Sequence, residues 1–327
     1  MADAESTESP LEAAAGTAGP HATEAFALLA DETRLAILLA LWEEYDPHAD
    51  DNVPFSRLFE RTDYEDRGNF SYHLEKLEGQ FVEQHTERGG YELTTSGLKL
   101  VRAVIAGTGM KDATLEAAEI DQACPLCGAS TVVSYRDGLV FWACVECEGV
   151  APEEIKTDGA LGLVQFEPAG LADWTPEELR AASMLAARQK GRSLFNGLCP
   201  TCSGPVDGHL ECCPDHDHNG VCDHCGMQYG ILARFQCRIC EEYGVASPKR
   251  LALFHPAVIA FYDDKGVSTR LQAEDFESAK RVHDLVDGHG LNLVSEDPPQ
   301  VTITVFRDGD EVHLTFDETV NVIDVIR

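Results

Sequence analysis

Asp66-Arg67-Gly68-Asn69-Phe70-Ser71-Tyr72-His73-Leu74-Glu75-Lys76-Leu77-Glu78-Gly79 carries two patterns at once. Phe70, Leu74 and Leu77 fall at i, i+4 and i+7, so one face of a short helix is apolar. Asn69, Ser71, Tyr72 and Lys76 fall off that stripe, and each can hydrogen-bond. An amphipathic helix with a donor-rich free face suits a DNA major groove. Most short amphipathic helices merely pack on a core, so the neighbouring segments decide between the two uses.

Upstream, Phe26, Leu28 and Leu29 mark a first helix, and Asp31 is placed to cap a second. In that second helix Leu35, Leu38, Leu39 and Trp42 form a stripe, ended by Asp46-Pro47. Phe55, Leu58 and Phe59 predict a third helix. Downstream of Gly79 the pattern turns strand-like over residues 81–86, turns at Arg88-Gly89-Gly90, and resumes over Tyr91 to Leu93. Thr95 or Ser96 can cap a last helix carrying Leu98, Val101 and Ile105. Three helices, a recognition helix, a hairpin and a final helix make a winged helix-turn-helix order over residues 23–107. The DNA contacts expected of it are Arg67, Asn69, Ser71, Tyr72 and Lys76, with Arg88 at the wing tip. His73, beside Leu74 and Leu77, is expected to be half-buried.

Two motifs here resemble the ArsR family of archaeal and bacterial repressors. Residues 29–38, Leu-Ala-Asp-Glu-Thr-Arg-Leu-Ala-Ile-Leu, are similar to its L-x-D-x-T-R-x-x-I-L opening, and Ser71 to Leu77 to its S-x-H-L-x-x-L recognition helix. The resemblance spans about a quarter of the chain and implies a homodimer that sets two such helices in successive major grooves of double-stranded DNA. The recognition stretch has no cysteine and no Cys-Val-Cys motif, so the family's metal sensing does not carry over.

Charge argues the other way. The 327 residues hold 57 acidic and 25 basic side chains, a formal charge of −32. Residues 23–107 alone hold eight basic against seventeen acidic residues, a net of −9. Nucleic acid favours basic faces. The acids are spread along the whole chain, which resembles proteins of salt-loving archaea; at 1 M salt and above the screening length is about 3 Å or less, and global charge then says little about partners.

Twelve cysteines, ten of them in five Cys-x-x-Cys pairs, point to metal rather than disulfides in a chain expected to be cytoplasmic. Cys124, Cys127, Cys144 and Cys147 flank a hairpin pattern with its turn at Arg136-Asp137-Gly138, the layout of a zinc ribbon over residues 121–150. A second region runs from Cys199 to Cys240. Its simplest assignment is two successive sites, Cys199, Cys202, Cys213 and His216, then Cys222, Cys225, Cys237 and Cys240, with a tight turn at Asp207-Gly208. The exchanged arrangement, the first pair with the third and Cys213/His216 with the fourth, remains open, and Cys212 can replace Cys213. Either way about three structural zinc ions per chain are expected, since four-ligand sites are closed. His209, His218 and His224 are expected in solvated loops.

The remainder is ordinary. Residues 1–22 read as a disordered leader and 107–121 as a linker. Within 160–327 there is a strand at 161–166 and a helix opened by Thr175-Pro176-Glu177-Glu178 and running to about Gln189. Helices are expected from His255-Pro256 and over 276–286. A hairpin turning at 307–310 and a strand at 320–326 end the chain. Residues 255–262 and 295–299 match H-P-A-V-x-x-F-Y and S-E-D-P-P segments of haloarchaeal winged-helix regulators, a resemblance that implies transcription regulation. The fold class is thus α+β multidomain: a winged helix, zinc-ribbon hairpins and a small C-terminal α/β part. The longest apolar run, Leu35 to Trp42, is eight residues against the roughly 20 of a membrane helix. No nucleophile elbow, P-loop or dinucleotide fingerprint occurs, so no catalytic residue is assigned and no enzyme activity is expected. The alternative to a regulator is an adaptor docking on RNA polymerase, loosely similar to archaeal transcription factor E.

Overall fold

Asp31 and Asp66 each close the start of a helix with one carboxylate. Asp31 accepts from the backbone N–H of Thr33 (3.0 Å) and Arg34 (3.2 Å), and Asp66 from Gly68 (2.9 Å) and Asn69 (3.1 Å). They open α1 (Glu32–Glu43) and α3 (Arg67–Leu77), with α2 (Phe55–Arg61) between. The computed structural model describes the chain except residues 1–24, 26, 49–51, 63, 86–88, 108–112, 151–156 and 218–220. The expected leader, His218 and Arg88 lie outside the described residues. The chain divides into two compact units, residues 1–110 and 111–327. Its described part is mixed α and β with four small antiparallel sheets, and among the described residues no helix is long and apolar enough to cross a membrane.

In the first unit α3 is followed by β1 (Val82–Gln84), β2 (Tyr91–Leu93) and α4 (Thr95–Ala106). The two strands pair antiparallel, Val82 opposite Leu93. The cap of α4 is Thr94, one residue before the expected pair; its hydroxyl accepts from Gly97 N–H at 3.1 Å. Phe70, Leu74 and Leu77 of α3 are buried with Ile37, Leu38, Leu58, Val82 and Val101. Phe70 is fully enclosed, with Phe55 and Phe59 edge-on to it at centroid distances of 5.5 and 5.2 Å. Such aromatic contacts add to the burial itself. Phe70→Ala is therefore expected to destabilise this unit by about 3–5 kcal/mol, read as a shift in the urea midpoint. A loss below about 1 kcal/mol would mean that the helix is not held by its apolar face.

The second unit opens with a sheet ordered β3 (Leu115–Ile120), β4 (Thr131–Arg136), β5 (Leu139–Cys144), β6 (Ala160–Gln165). Residues 115–120, whose composition suggests a linker, form an edge strand because β4 offers them a ladder. Helix α5 (Pro176–Phe195) has the expected capping box, Thr175 with Glu178. It runs a turn and a half beyond Gln189 because Leu194 is buried in the core of the unit. Then come β7 (Val206–Cys212), β8 (Ile231–Cys237) and β9 (Tyr243–Ala246) in one sheet. Three helices follow: α6 (Pro248–Ala252), α7 (Pro256–Asp264) and α8 (Phe276–Asp287).

A meander of β10 (Gly290–Glu296), β11 (Pro299–Arg307), β12 (Asp310–Phe316) and β13 (Val322–Ile326) ends the chain. The β11–β12 turn sits at Asp308-Gly309, both at positive φ (52° and 85°). Val301, Ile303, Val305, Val312, Leu314 and Phe316 point from this sheet into a core shared with Leu251, Val258, Tyr262 and Val282.

His289 lies within that layer. Its Nε2 meets Tyr262 Oη at 2.9 Å and its Nδ1 meets the Lys249 carbonyl at 2.9 Å. Burial pushes its pKa from 6.5 down to about 4, so the ring is neutral in the folded chain at pH 7. Between those values the unfolded state takes up a proton that the folded state refuses. The contribution is complete above pH 6.5 and is lost as pH falls toward 4. His289→Gln should flatten the fall in the melting midpoint between pH 6.5 and 4; an unchanged slope would remove His289 from the acid response.

Candidate metal centres and recognition helix

Three groups of thiol and imidazole side chains converge in the second unit, each with all its ligand atoms within 4.8 Å of one another. The first is Cys124, Cys127, Cys144 and Cys147. A tight turn presents Cys124 and Cys127, with the Gly128 N–H donating to the Cys124 carbonyl at 2.9 Å, and β5 delivers Cys144. The sulfurs of Cys124 and Cys147 are 3.7 Å apart and those of Cys127 and Cys144 3.5 Å apart. Metal–sulfur bonds of about 2.3 Å in a tetrahedron put sulfurs roughly 3.7 Å apart, so the set fits one such ion.

The second and third groups correct the expected pairing. Cys199 and Cys202 meet Cys237 and Cys240, at 3.6 Å for Cys199–Cys240 and 3.5 Å for Cys202–Cys237. Cys213 and His216 meet Cys222 and Cys225. The sites are nested, neither successive nor exchanged. The reason is the β7–β8 ladder, which runs unbroken from Val206 opposite Cys237 to Cys212 opposite Ile231. Asp207 and Gly208 lie inside β7, where a turn is expected from their type; Gly208 packs against the Phe235 ring instead. The outer cysteine pairs meet at the open end of the ladder and the inner ligands at its tip. A usable signal is present in the sequence: ten residues separate Cys202 from Cys213 and eleven separate Cys225 from Cys237, arms of nearly equal length.

Backbone N–H groups are aimed at sulfur in every cluster. Cys144 Sγ accepts from Glu146 and Cys147 at 3.3 and 3.4 Å, Cys237 Sγ from Ile239 at 3.4 Å, and Cys222 Sγ from Asp217 at 3.3 Å. Burial pushes the Cys144 thiol up, but these N–H groups bring it to about 7. The N–H groups of Cys240 and Ile239 bring Cys237 to about 6, and those of Asp217, Cys225 and His224 bring Cys222 to about 7. Burial and the neighbouring sulfurs hold Cys147 up at about 12. Four donors packed this closely could hold one metal ion. In the third cluster His216 Nδ1 is 3.5 Å from Cys225 Sγ, while Nε2 faces the Gln228 carbonyl at 3.4 Å, which fixes the ring. A Cβ at Gly230 would lie 2.7 Å from the His216 ring, so only glycine admits this approach. Cys212 ends β7 opposite Ile231, outside the cluster, and burial raises its thiol. His209 is exposed but sits in β7 rather than a loop, and His224 is exposed.

The expected DNA-contact residues are only partly free. Arg67 stacks over Phe55 and Phe59 at 5.4 and 5.5 Å, and Asn69 Nδ2 donates to Tyr64 Oη at 2.9 Å. Ser71 Oγ donates to Glu75 at 3.5 Å. Tyr72 is 54 % exposed, with Lys76 Nζ 5.4 Å above its ring. His73 is buried rather than half-buried, its Nδ1 3.5 Å from Asp31. Burial would raise the Asp31 carboxyl, but the Arg34 N–H and the His73 and Arg34 charges hold it low.

Residues 121–322 match the family described as a domain of unknown function, DUF7351. The chain belongs to that family. Its DUF7351 part contains all three clusters, and residues 22–104 match a second domain of unknown function, DUF7347. No curated protein and no solved structure matches the chain.

Nesting has a direct test. Cys199→Ser and Cys237→Ser should each remove the same one metal equivalent, and the double variant no more than one. Cys199→Ser with Cys222→Ser should remove two, and their stability losses should add. Elemental analysis decides; two equivalents lost from Cys199→Ser/Cys237→Ser would overturn the nested arrangement.

Proposed function

We propose that the chain is a DNA-binding transcription regulator whose first unit acts as an ArsR-like winged helix and whose second unit is built on three structural zinc ions. The observation that carries this reading is helix α3. It is fixed by a capped N-terminus and four buried side chains, and it leaves Ser71, Tyr72 and Lys76 on the outer side, followed at once by the β1–β2 hairpin. A homodimer would set two such helices one DNA turn apart. Zinc suits the donor sets, one of three cysteines and a histidine and two of four cysteines. With four protein ligands such an ion is coordinatively closed, so it maintains shape and takes no catalytic role.

A second reading, a polymerase-docking adaptor without enzyme activity, is favoured by the net acidity of residues 23–107 and by the use of Arg67 and Asn69 inside the fold. The two readings separate in one experiment. At multimolar KCl the regulator protects a palindromic DNA site, and changing Ser71, Tyr72 and Lys76 together to alanine lowers specific affinity roughly a hundredfold. Lys76→Ala alone should reduce the salt slope by about one. Copurification with polymerase that survives the triple change, with no site protected, would replace the regulator by the adaptor.

A further inference from the structure

Among the described residues, Arg180 and Arg250 of the second unit meet no acidic partner, in a chain with more than two acids for every base. Arg180 on α5 is buried, its guanidinium carbon 4.2 Å from the centre of the Trp142 ring on β5. Stacking occupies a guanidinium face and leaves the N–H edges free; among the described residues no hydrogen-bond or ion-pair partner meets the side chain, and the buried Nε is unpaired. His283 of α8 stands edge-on to the same tryptophan ring at 5.0 Å and 88°. Both of its ring nitrogens are buried without a partner, as is Trp142 Nε1. Arg250 of α6 is exposed, without an ion pair among the described residues, and acts electrostatically on both Arg180 and His283.

This arrangement is anomalous as a piece of core. Four buried side-chain nitrogens on three residues lack partners, although native interiors leave few polar groups unpaired. Burial together with the two arginine charges pushes His283 down to about 3, so the imidazole is neutral, one nitrogen donating and the other accepting. Burial and the Arg250 charge bring Arg180 to about 9. Neutralising a mutually repelling pair of cations is the missing element, and an oxyanion supplies both the charge and the acceptors. The enclosed nitrogens limit that group to a small one, and exposed Arg250 marks the approach.

We infer that Arg180, Arg250, Trp142 and His283 form a binding site for the oxyanion group, phosphate or carboxylate, of a small molecule. Arg180 presents a fork for two oxygens, the Trp142 ring holds that fork in plane, Trp142 Nε1 and His283 donate, and Arg250 closes the charge at the mouth. The site is read without DNA, so its failure would leave the DNA-binding reading untouched.

The test uses the full-length protein with its metal. Calorimetry and tryptophan emission follow separate titrations with inorganic phosphate, acetate and succinate at constant ionic strength. One saturable equivalent per chain is expected for phosphate or for a carboxylate, and the anion that binds identifies the chemical source. Arg250→Gln and Arg180→Lys should each weaken it roughly tenfold or more, and Trp142→Phe should abolish the emission change. Metal content and melting temperature show that each variant is folded. Should Arg180→Lys fail to fold, Arg250→Gln alone carries the test, since its side chain is exposed. No saturable binding of any of the three anions overturns the proposal, as does binding that Arg250→Gln leaves unchanged, which would mark an adventitious ion only.

Discussion

The second unit depends on how a two-stranded ladder is closed at both ends. An isolated β-hairpin is marginal in water, and the seven pairs of β7 and β8 are no exception on length alone. Here the outer cysteines clasp one end and the inner Cys213, His216, Cys222 and Cys225 clasp the other, about 20 Å apart at the usual rise per residue. A metal ion held at each end, as proposed, would fix register as well as proximity, because a slip by one residue would turn Cys237 to the opposite face of the strand. With register fixed, Leu210, Ala233 and Phe235 stay directed into the core that also receives Leu251, Val301 and Phe316. The donors and their ladder thus determine where the later layers can pack.

Local chemistry was legible in the sequence, and pairing across distance was not. Asp31 and the Thr175/Glu178 box end helices through contacts within three residues, so their roles follow from type and spacing. The twelve side chains of the three candidate metal clusters were recoverable for the same reason, since each Cys-x-x-Cys turn is a local structure. Which turn meets which depends on the ladder, and Asp207-Gly208 imitates a hairpin turn that the flanking β-formers override. Residues 115–120 lack strong strand patterning and are strand only because β4 is there to pair with. Strand β10 is illegible on similar grounds: Leu291 and Leu293 alternate over too short a span to stand out until β11 lies beside them. For α3 the apolar stripe predicted the buried face, whereas the ring stack that takes Arg67 and the Tyr64 hydroxyl that takes Asn69 arise from tertiary packing.

The Arg67 stack belongs to a wider use of the scarce basic side chains. Arg67 lies over Phe55 and Phe59, Arg102 over Trp42 and Tyr45, Arg136 over Phe141, Arg180 over Trp142 and Arg188 over Phe254. A guanidinium is weakly hydrated and planar, so it packs on a ring at little desolvation cost and covers apolar surface as it does so. Such a contact depends less on ionic strength than an exposed ion pair, which salt screens. A chain with 57 acidic and 25 basic residues gains cohesion this way without matching each arginine to a carboxylate.

The same economy constrains how the first unit can meet a polyanion. Arg67 is held against two rings, Arg61 and Arg57 are paired with Glu43 and Glu44, and Arg34 faces Asp31. Lys76, on the outer side of α3, has the Tyr72 ring as its neighbour and no ion pair among the described residues. Counterion release, which gives most DNA-binding proteins their nonspecific affinity, scales with the number of phosphates neutralised. A unit with so few uncommitted cations gains little from that term. If it holds DNA, the free energy must come from hydrogen bonds and apolar contact at base edges, through the Tyr72 ring and the Ser71 hydroxyl. Binding of that kind has a shallow salt dependence, which is compatible with concentrated salt, where a recognition surface built on many lysines would lose its grip.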